Sequence, residues 1–296
     1  MKGPRGYPPR AFLFSAVPSF RCDEEPYQYL RHPPAGTCVG VQAPPVRMVI
    51  SPAMLVSERM SSDAWMPPWV RYQHEARYEF AAACAGAAEV LDAACGTGYG
   101  SILVRNAGAS RVVGVDIAVD AVREAMRSDS PPQADFILGS ALSFPFRDAQ
   151  FDLFISLETI EHIDDDRSYV REARRVVKPG GTFICSTPNR AVLNPGRSLF
   201  DRPFNPFHIR EYAQPELDRL LREQFRTIRW YGQTLFDARY IALLSAIGRR
   251  VPMLAVRLHQ MHKVLRAAFD KPRRHAVQPL PTDGAHAEVF VAVCTD

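Results

Sequence analysis

No two cysteines in this chain are spaced as C-x-x-C. Cys22, Cys38, Cys84, Cys95, Cys185 and Cys294 are scattered, which removes the usual zinc-binding and dithiol redox patterns. They read instead as the reduced thiols of a cytosolic protein. No apolar run reaches the ~18 residues of a membrane-spanning helix. The N-terminal "AFLFSAV" follows basic residues but is brief and lacks an A-x-A cleavage pattern, so the reading is against a secretory signal. Strong charge of one sign is also missing. With 36 Lys+Arg against 32 Asp+Glu the net charge is +4, too mild to point to nucleic acid. What remains is an ordinary globular composition, 47% apolar and 23% charged over 296 residues, long enough for one large domain or two small ones.

Residues 1–52 hold ten of the 25 prolines and show neither helical nor strand period. They read as an irregular or disordered extension, with the main domain over 53–296. From about residue 67 the pattern changes. A helix-forming stretch, "PPWVRYQHEARYEFAAACAG", ends at Gly86. Short β-branched and aromatic runs then alternate with amphipathic segments: "EVLDAAC", "RVVGVDI", "ADFILG", "FDLFISL" and "GTFICST". Near-continuous apolar runs separated by helices predict a parallel sheet covered on both faces. Later runs at 227–232 and 287–294 bring the expected strands to seven, with a helix near 214–225. The expected architecture is a Rossmann-like, doubly wound α/β sheet.

The strongest motif is "VLDAACGTGYG", Val90 to Gly100. A buried strand runs into a glycine turn and then into a helix. Gly96 and Gly98 let the backbone approach a ligand closely, and the amides at the helix start face it. The spacing Gly96-x-Gly98-x-Gly100 differs from the dinucleotide pattern. Asp116, ending the next strand in "VVGVDIA", is placed to accept both ribose hydroxyls of a nucleoside. It could also cap the helix that follows. Loop and acid together define a nucleoside cofactor site at the carboxyl ends of neighbouring strands.

These segments resemble the class I S-adenosylmethionine-dependent methyltransferases. "VLDAACGTGYG" resembles the family's first motif and "GVDIA" its ribose segment. "GSALSFPF" resembles the adenine segment, "FDLFISLETIEHI" the fourth-strand motif and "ARRVVKPGGTFICSTPN" the fifth-strand motif. The resemblance spans about residues 67–232 plus the last strand, and implies that this strand is antiparallel in an otherwise mostly parallel sheet. It implies S-adenosyl-L-methionine as cofactor, held by Asp92, Ala94, Gly96, Thr97, Gly98, Asp116, Ile117, Ser140, Ala141 and Leu157. Asp92 has two compatible roles, ordering the glycine loop and lying beside the methionine moiety. The family often has Asp where this chain has Ser140; a hydroxyl can accept the same adenine bond, and the amide of Ala141 could serve a ring nitrogen.

Methyl transfer requires alignment of the acceptor with the sulfonium methyl and removal of the acceptor's proton. "LETIEH", Leu157 to His162, follows the fourth strand immediately, and on a helical turn Glu158, Glu161 and His162 would share one face. Three readings stay open. Glu158, Glu161 and His162, with His208 from "NPFHIREY", could hold a divalent cation, a pattern that resembles small-RNA 2′-O-methyltransferases and some ubiquinone-biosynthesis O-methyltransferases. His162 or His208 could instead be a metal-free general base, with Glu158 alongside. Or Glu161 and His162 are structural, capping the next helix or pairing with Arg171 or Arg174.

The loop 198–212 carries Phe200, Phe204, Phe207 and Tyr212, suited either to wall an apolar cleft or to pack into the core. Arg71, Tyr72, Arg77 and Tyr78 lie on the first helix; Arg77 or Tyr78 could touch cofactor or substrate, while a solvated face is expected for most of them. Residues 235–285 form a basic, apolar and mostly helical insertion. Its readings are a peripheral membrane contact, a dimer or cap contact, or a plain charged surface over a core stripe. The expected activity is methylation of a small-molecule acceptor, such as a sugar, phenol or quinol, natural product or lipid-linked compound, on oxygen. RNA 2′-O-methylation and a cofactor-binding scaffold are the alternatives.

Overall fold

The computed structural model describes residues 68–127, 134–267, 276–280 and 286–296; the expected extension over 1–52 lies outside them. In chain order the elements are α1 (Pro68–Ala85), β1 (Glu89–Ala93), α2 (Tyr99–Asn106), β2 (Arg111–Asp116), α3 (Val119–Met126), β3 (Asp135–Leu138), β4 (Phe151–Leu157), α4 (Asp166–Val176), β5 (Val177–Pro188), α5 (Arg190–Leu193), α6 (Gln214–Leu221), β6 (Thr227–Phe236), α7 (Ala238–Gly248), α8 (Pro252–Ala267), β7 (Gln278–Pro279) and β8 (His286–Thr295). A single 3-10 turn, Ile160–His162, links β4 towards α4.

The strands form one sheet in the order β3-β2-β1-β4-β5-β8-β6-β7. β3, β2, β1, β4 and β5 run parallel. β8 is antiparallel to both β5 and β6. The expected mostly parallel sheet with an antiparallel last strand is therefore present, but among the described residues it has eight strands rather than seven. The additional one is β7, a two-residue edge strand on β6. Its two residues, Gln278 and Pro279, carry no apolar run to betray a strand. β7 also lies within the 235–285 insertion, which is thus not wholly helical.

Alternation along the strands places one core on each side of the sheet. Val90, Val112, Leu153, Ile155 and Ile184 face α1 and α2 with Tyr78, Ala81 and Val104. Leu91, Val113, Phe154 and Phe183 face α4 and α6 with Tyr169, Val170, Leu217 and Leu221. Phe154 stacks on Phe183 at 5.0 Å and meets Phe144 edge-on at 5.5 Å. Each such buried side chain contributes about 1.5–3 kcal/mol. α4 starts where Asp165 accepts a hydrogen bond from the Ser168 amide at 2.9 Å, leaving no capping role for Glu161 or His162. Chain order reverses beside β1, with β2 on one side and β4 on the other. The crevice at the carboxyl ends of these strands is the switch point where such sheets bind ligands.

Among the described residues no helix is long and apolar enough to cross a membrane. The described cysteines, Cys84, Cys95, Cys185 and Cys294, are free thiols.

Candidate active site

The glycine loop leaves β1 through Ala94, a non-glycine residue at φ 54. Gly96 (φ +56) faces open space, with nothing within 4 Å of where a Cβ would stand, whereas a Cβ on Gly98 (φ +81) would meet the Phe136 ring at 2.5 Å. Gly96 thus opens a cradle, and Gly98 lets α2 begin close against β3. The Asp116 carboxylate ties the loop to β2: Oδ2 accepts from the Gly96 amide at 2.9 Å and Oδ1 from the Ala118 amide at 2.8 Å. The N-cap of α3 is Ala118 rather than Asp116. Each Asp116 oxygen keeps a second lone pair, so two ribose hydroxyls can still be accepted. Ile117 next to it is 70% exposed, an apolar face presented at the rim of the crevice. The acid and the open cradle fit a nucleoside cofactor.

Asp92 lies deeper. It is fully buried, accepts from Ser101 Oγ at 2.5 Å, and has Tyr78 Oη at 3.3 Å. Burial pushes its carboxyl up to about 7. These bonds link β1 to α1 and α2, the loop-ordering role. Ala94 is exposed, Thr97, Ser140 and Ala141 are half-buried, and Leu157 is buried. Ser140 Oγ accepts from the Leu142 amide at 3.2 Å, so this hydroxyl already shapes the turn after β3.

At the end of β4 the helical-face expectation fails. Glu158 takes φ 52, and only Ile160–His162 form a turn, so Glu158 does not share a helical face with Glu161 and His162. Glu158 accepts from Ser186 Oγ at 2.8 Å and stands 4.0 Å from Arg77. Glu161 is fully buried. Its Oε2 accepts from Thr187 Oγ1 at 3.0 Å, while Oε1 has no hydrogen-bond partner. Burial, reinforced by the nearby Glu158 charge, pushes the Glu161 carboxyl well above its ordinary value.

His162 Nδ1 lies 3.0 Å from the Phe207 carbonyl. A carbonyl only accepts, so Nδ1 carries the hydrogen and Nε2 of the neutral ring carries the lone pair. His208 is held differently. Its Nδ1 meets Glu211 at 2.7 Å and its Nε2 meets the Asn205 amide nitrogen at 2.9 Å. Asn205 Oδ1 accepts from the Phe207 amide at 3.1 Å, which orients the Asn205 side chain as a donor to His208. Both His208 nitrogens therefore serve the loop. The two imidazoles meet edge-on at 5.0 Å. Glu161, His162 and His208 can bring ligand atoms within 4.8 Å of one another; Glu158 is outside that group.

The loop reaches this position because its backbone is stapled to the turn. The Ile209 and Arg210 amides donate to the Glu161 carbonyl at 2.9 and 3.3 Å. Arg210 and the Tyr212 hydroxyl both bond Asp166, at 2.6 and 2.8 Å. The aromatics divide: Tyr212 is core, Phe204 stacks under Arg197, and Phe200 and Phe207 are 96% and 55% exposed. Arg171 bonds Ser168, and Arg174 bonds Asp296 and the Val177 carbonyl, so neither pairs with Glu161 or His162 as expected.

A buried polar layer beside the crevice was not foreseen. Arg77, open between a cofactor or substrate contact and a solvated face, is 2% exposed, and its Nη1 donates to Gln233 at 2.5 Å. Gln73 donates to Thr234 Oγ1 at 3.0 Å and to Glu288 at 3.2 Å. Glu288 in turn pairs with Lys263 of α8. Thr234, at φ 53, is one of three non-glycine residues in left-handed conformation at this end of the sheet, with Ala94 and Glu158. One sign was visible beforehand: Glu288 is a lone acid inside the apolar run "AEVFVAVC". Arg77 and Gln233 gave no such sign.

Residues 91–185 match the family model described as "Methyltransferase domain". The chain is 42% identical over 154 residues to a Mycolicibacterium smegmatis protein named "Probable S-adenosylmethionine-dependent methyltransferase", covering 52% of this chain and 57% of that one. It is 30% identical over 158 residues to an Oryza sativa protein named "Probable tocopherol O-methyltransferase, chloroplastic", covering 48% and 44%. The chain thus spans about half the length of these curated relatives. A solved S-adenosylmethionine-dependent methyltransferase from Thermotoga maritima superposes with a TM-score of 0.50 at 16% identity, over 77% of this chain and 93% of that one, a likeness of fold alone. Taken with the glycine cradle, the switch-point acid and β8 inserted antiparallel between β5 and β6, these matches make residues 91–185 a methyltransferase domain, in a chain similar to S-adenosylmethionine-dependent methyltransferases.

Proposed function

We propose that this protein transfers the methyl group of S-adenosylmethionine to a hydroxyl oxygen of a small-molecule acceptor. The observation that carries this is a juxtaposition: the Gly96 cradle with Asp116 lies one strand away from His162, at the carboxyl ends of the adjacent strands β1 and β4. When bound, the cofactor supplies an electrophilic methyl on a sulfonium with a good leaving group. The residues of the chain do the rest. Asp116 and the loop amides hold the nucleoside half, while Ala94, Thr97, Ser140, Ala141 and Leu157 line its surroundings. Tautomer control by the Phe207 carbonyl leaves His162 Nε2 as the basic nitrogen that takes the acceptor's proton. Glu158, held by Ser186 and facing Arg77, orients the acceptor beside it. The O-methyltransferase name of the rice relative agrees with an oxygen acceptor. Titration calorimetry and single-turnover kinetics test this reading with a panel of phenols, quinols and sugars. His162→Ala should lower kcat by about 10²–10⁴-fold while leaving cofactor affinity unchanged. Unchanged turnover in that variant would remove His162 from the chemistry.

The unpaired, buried Glu161 Oε1 favours a second reading. A carboxylate without a partner in an apolar setting is held neutral or meets a cation, and His162 and, on giving up its Asn205 bond, His208 complete a mixed donor set for a divalent metal. Binding of Mg²⁺, Mn²⁺ or Zn²⁺ would show as a stoichiometric heat that Glu161→Gln abolishes. Full turnover after exhaustive chelation excludes the metal as a requirement.

A further inference from the structure

The helix α8 is turned inside out for a helix on the surface of a protein. Its inward face carries Ala255 and Val256 but also His259, fully buried, and Lys263, which reaches buried Glu288. Its outward face carries Leu254, Met261, Val264 and Leu265, with Val251 just before its first residue, all 45–59% exposed, and Arg257 among them. Positions 254, 261 and 265 fall in line at helical spacing, with 251, 257 and 264 beside them. An ordinary surface helix has the opposite polarity. Across the hairpin from Ala238 to Ala267 there is no Asp or Glu, whereas Arg239, Arg249, Arg250, Arg257, Lys263 and Arg266 are basic. Arg249 and Arg250 are both exposed at the turn between α7 and α8.

We propose that the outer face of α8, with the α7–α8 turn, docks on an anionic lipid bilayer. The apolar stripe enters the interface and the arginines meet the headgroups, as interfacial amphipathic helices do. α8 has 16 residues, fewer than the ~20 needed to span a bilayer, and its buried face is occupied by the protein. It therefore lies in the plane of the surface. Two other occupants fit less well. A second copy meeting the same face about a two-fold axis would bring the arginines against their own mates without an acid to offset them. A nucleic acid would satisfy the arginines and leave the apolar stripe without a partner.

Flotation of the full chain with vesicles tests this without any acceptor. One set is phosphatidylcholine alone and the other contains phosphatidylglycerol at about one lipid in three. The protein should float with the anionic vesicles only, and added salt should release it. Arg249→Ala with Arg250→Ala should weaken binding roughly 25-fold. Leu254→Ser with Met261→Ser and Leu265→Ser should weaken it by about tenfold or more. All five residues are exposed, so the variants should keep the parent melting temperature. A failure to float with anionic vesicles overturns the proposal. So does equal binding by the serine variant, or a parent dimer in light scattering that this variant dissolves while no vesicle binding is seen.

Discussion

The two halves of the crevice are built by different means. On the cofactor side, the chain solves its problem locally: a strand, a glycine turn and a helix, with Asp116 closing the loop by bonds to two backbone amides. On the other side, beyond β4, buried side chains from distant elements meet. Arg77 and Gln73 come from α1, Glu158 from the end of β4, Gln233 and Thr234 from β6, Glu288 from β8 and Lys263 from α8. The first half is a backbone motif closed by one carboxylate, Asp116. The second is a network in which each member depends on the others for its desolvation to be offset. A class of enzymes that shares one cofactor and varies its acceptor would divide the work in this way.

This contrast predicts unequal responses to mutation. The largest belongs to the network. Lys263→Met leaves the Glu288 carboxylate buried without its cation and should lower stability by about 3–5 kcal/mol in denaturant unfolding. The double variant with Glu288→Gln should recover most of the loss. A loss under about 1 kcal/mol for the single variant would mean that the pair is solvated.

Acid comes next. Burial holds His259 down to about 4 against an ordinary 6.5. Below pH 6.5 the unfolded chain takes up a proton that the folded chain refuses. Stability should therefore fall as pH drops from 6.5 towards 4, by about 3 kcal/mol from this residue. The Glu288 carboxyl, held below its usual range chiefly by Lys263 against the opposing effect of burial, adds to the loss as pH falls through its folded value. His259→Asn should flatten the profile between 6.5 and 4; an unchanged profile would assign the acid sensitivity elsewhere.

The smallest expected effect is on the cofactor side. Ser101→Ala removes the short bond to Asp92 and should cost about 1–3 kcal/mol of stability. Because the loop keeps its Asp116 bonds, cofactor affinity should change by no more than a few-fold. A large affinity loss would show that Asp92 acts on the ligand and not through the loop.

The same contrast explains what could be read from the sequence. "VLDAACGTGYG" and "VVGVDIA" signal their geometry because glycine at positive φ and an acid at a strand end are requirements of the backbone, written within a few residues. The mostly parallel sheet followed from runs whose burial on both faces is encoded in each run by itself. Glu158 misled because a helical period was assumed one residue too early; its left-handed conformation breaks the turn, and no residue type there announces it. Arg77 stayed open between a site contact and a solvated face for a different reason. On α1 it looks like any exposed arginine, and only the arrival of Gln233, 156 positions later in the chain, buries it. β7 is two residues held by its neighbour β6, and has no period to detect.

The central claim is that the Gly96 cradle and Asp116 hold S-adenosylmethionine, and calorimetry with S-adenosylhomocysteine tests it directly. One site per chain is expected for the parent protein and for Lys263→Met below its melting temperature. Asp116→Ala, which loses both amide bonds and both ribose bonds, should bind at least about 100-fold more weakly. Undiminished binding by Asp116→Ala, or none by the folded parent, would contradict it.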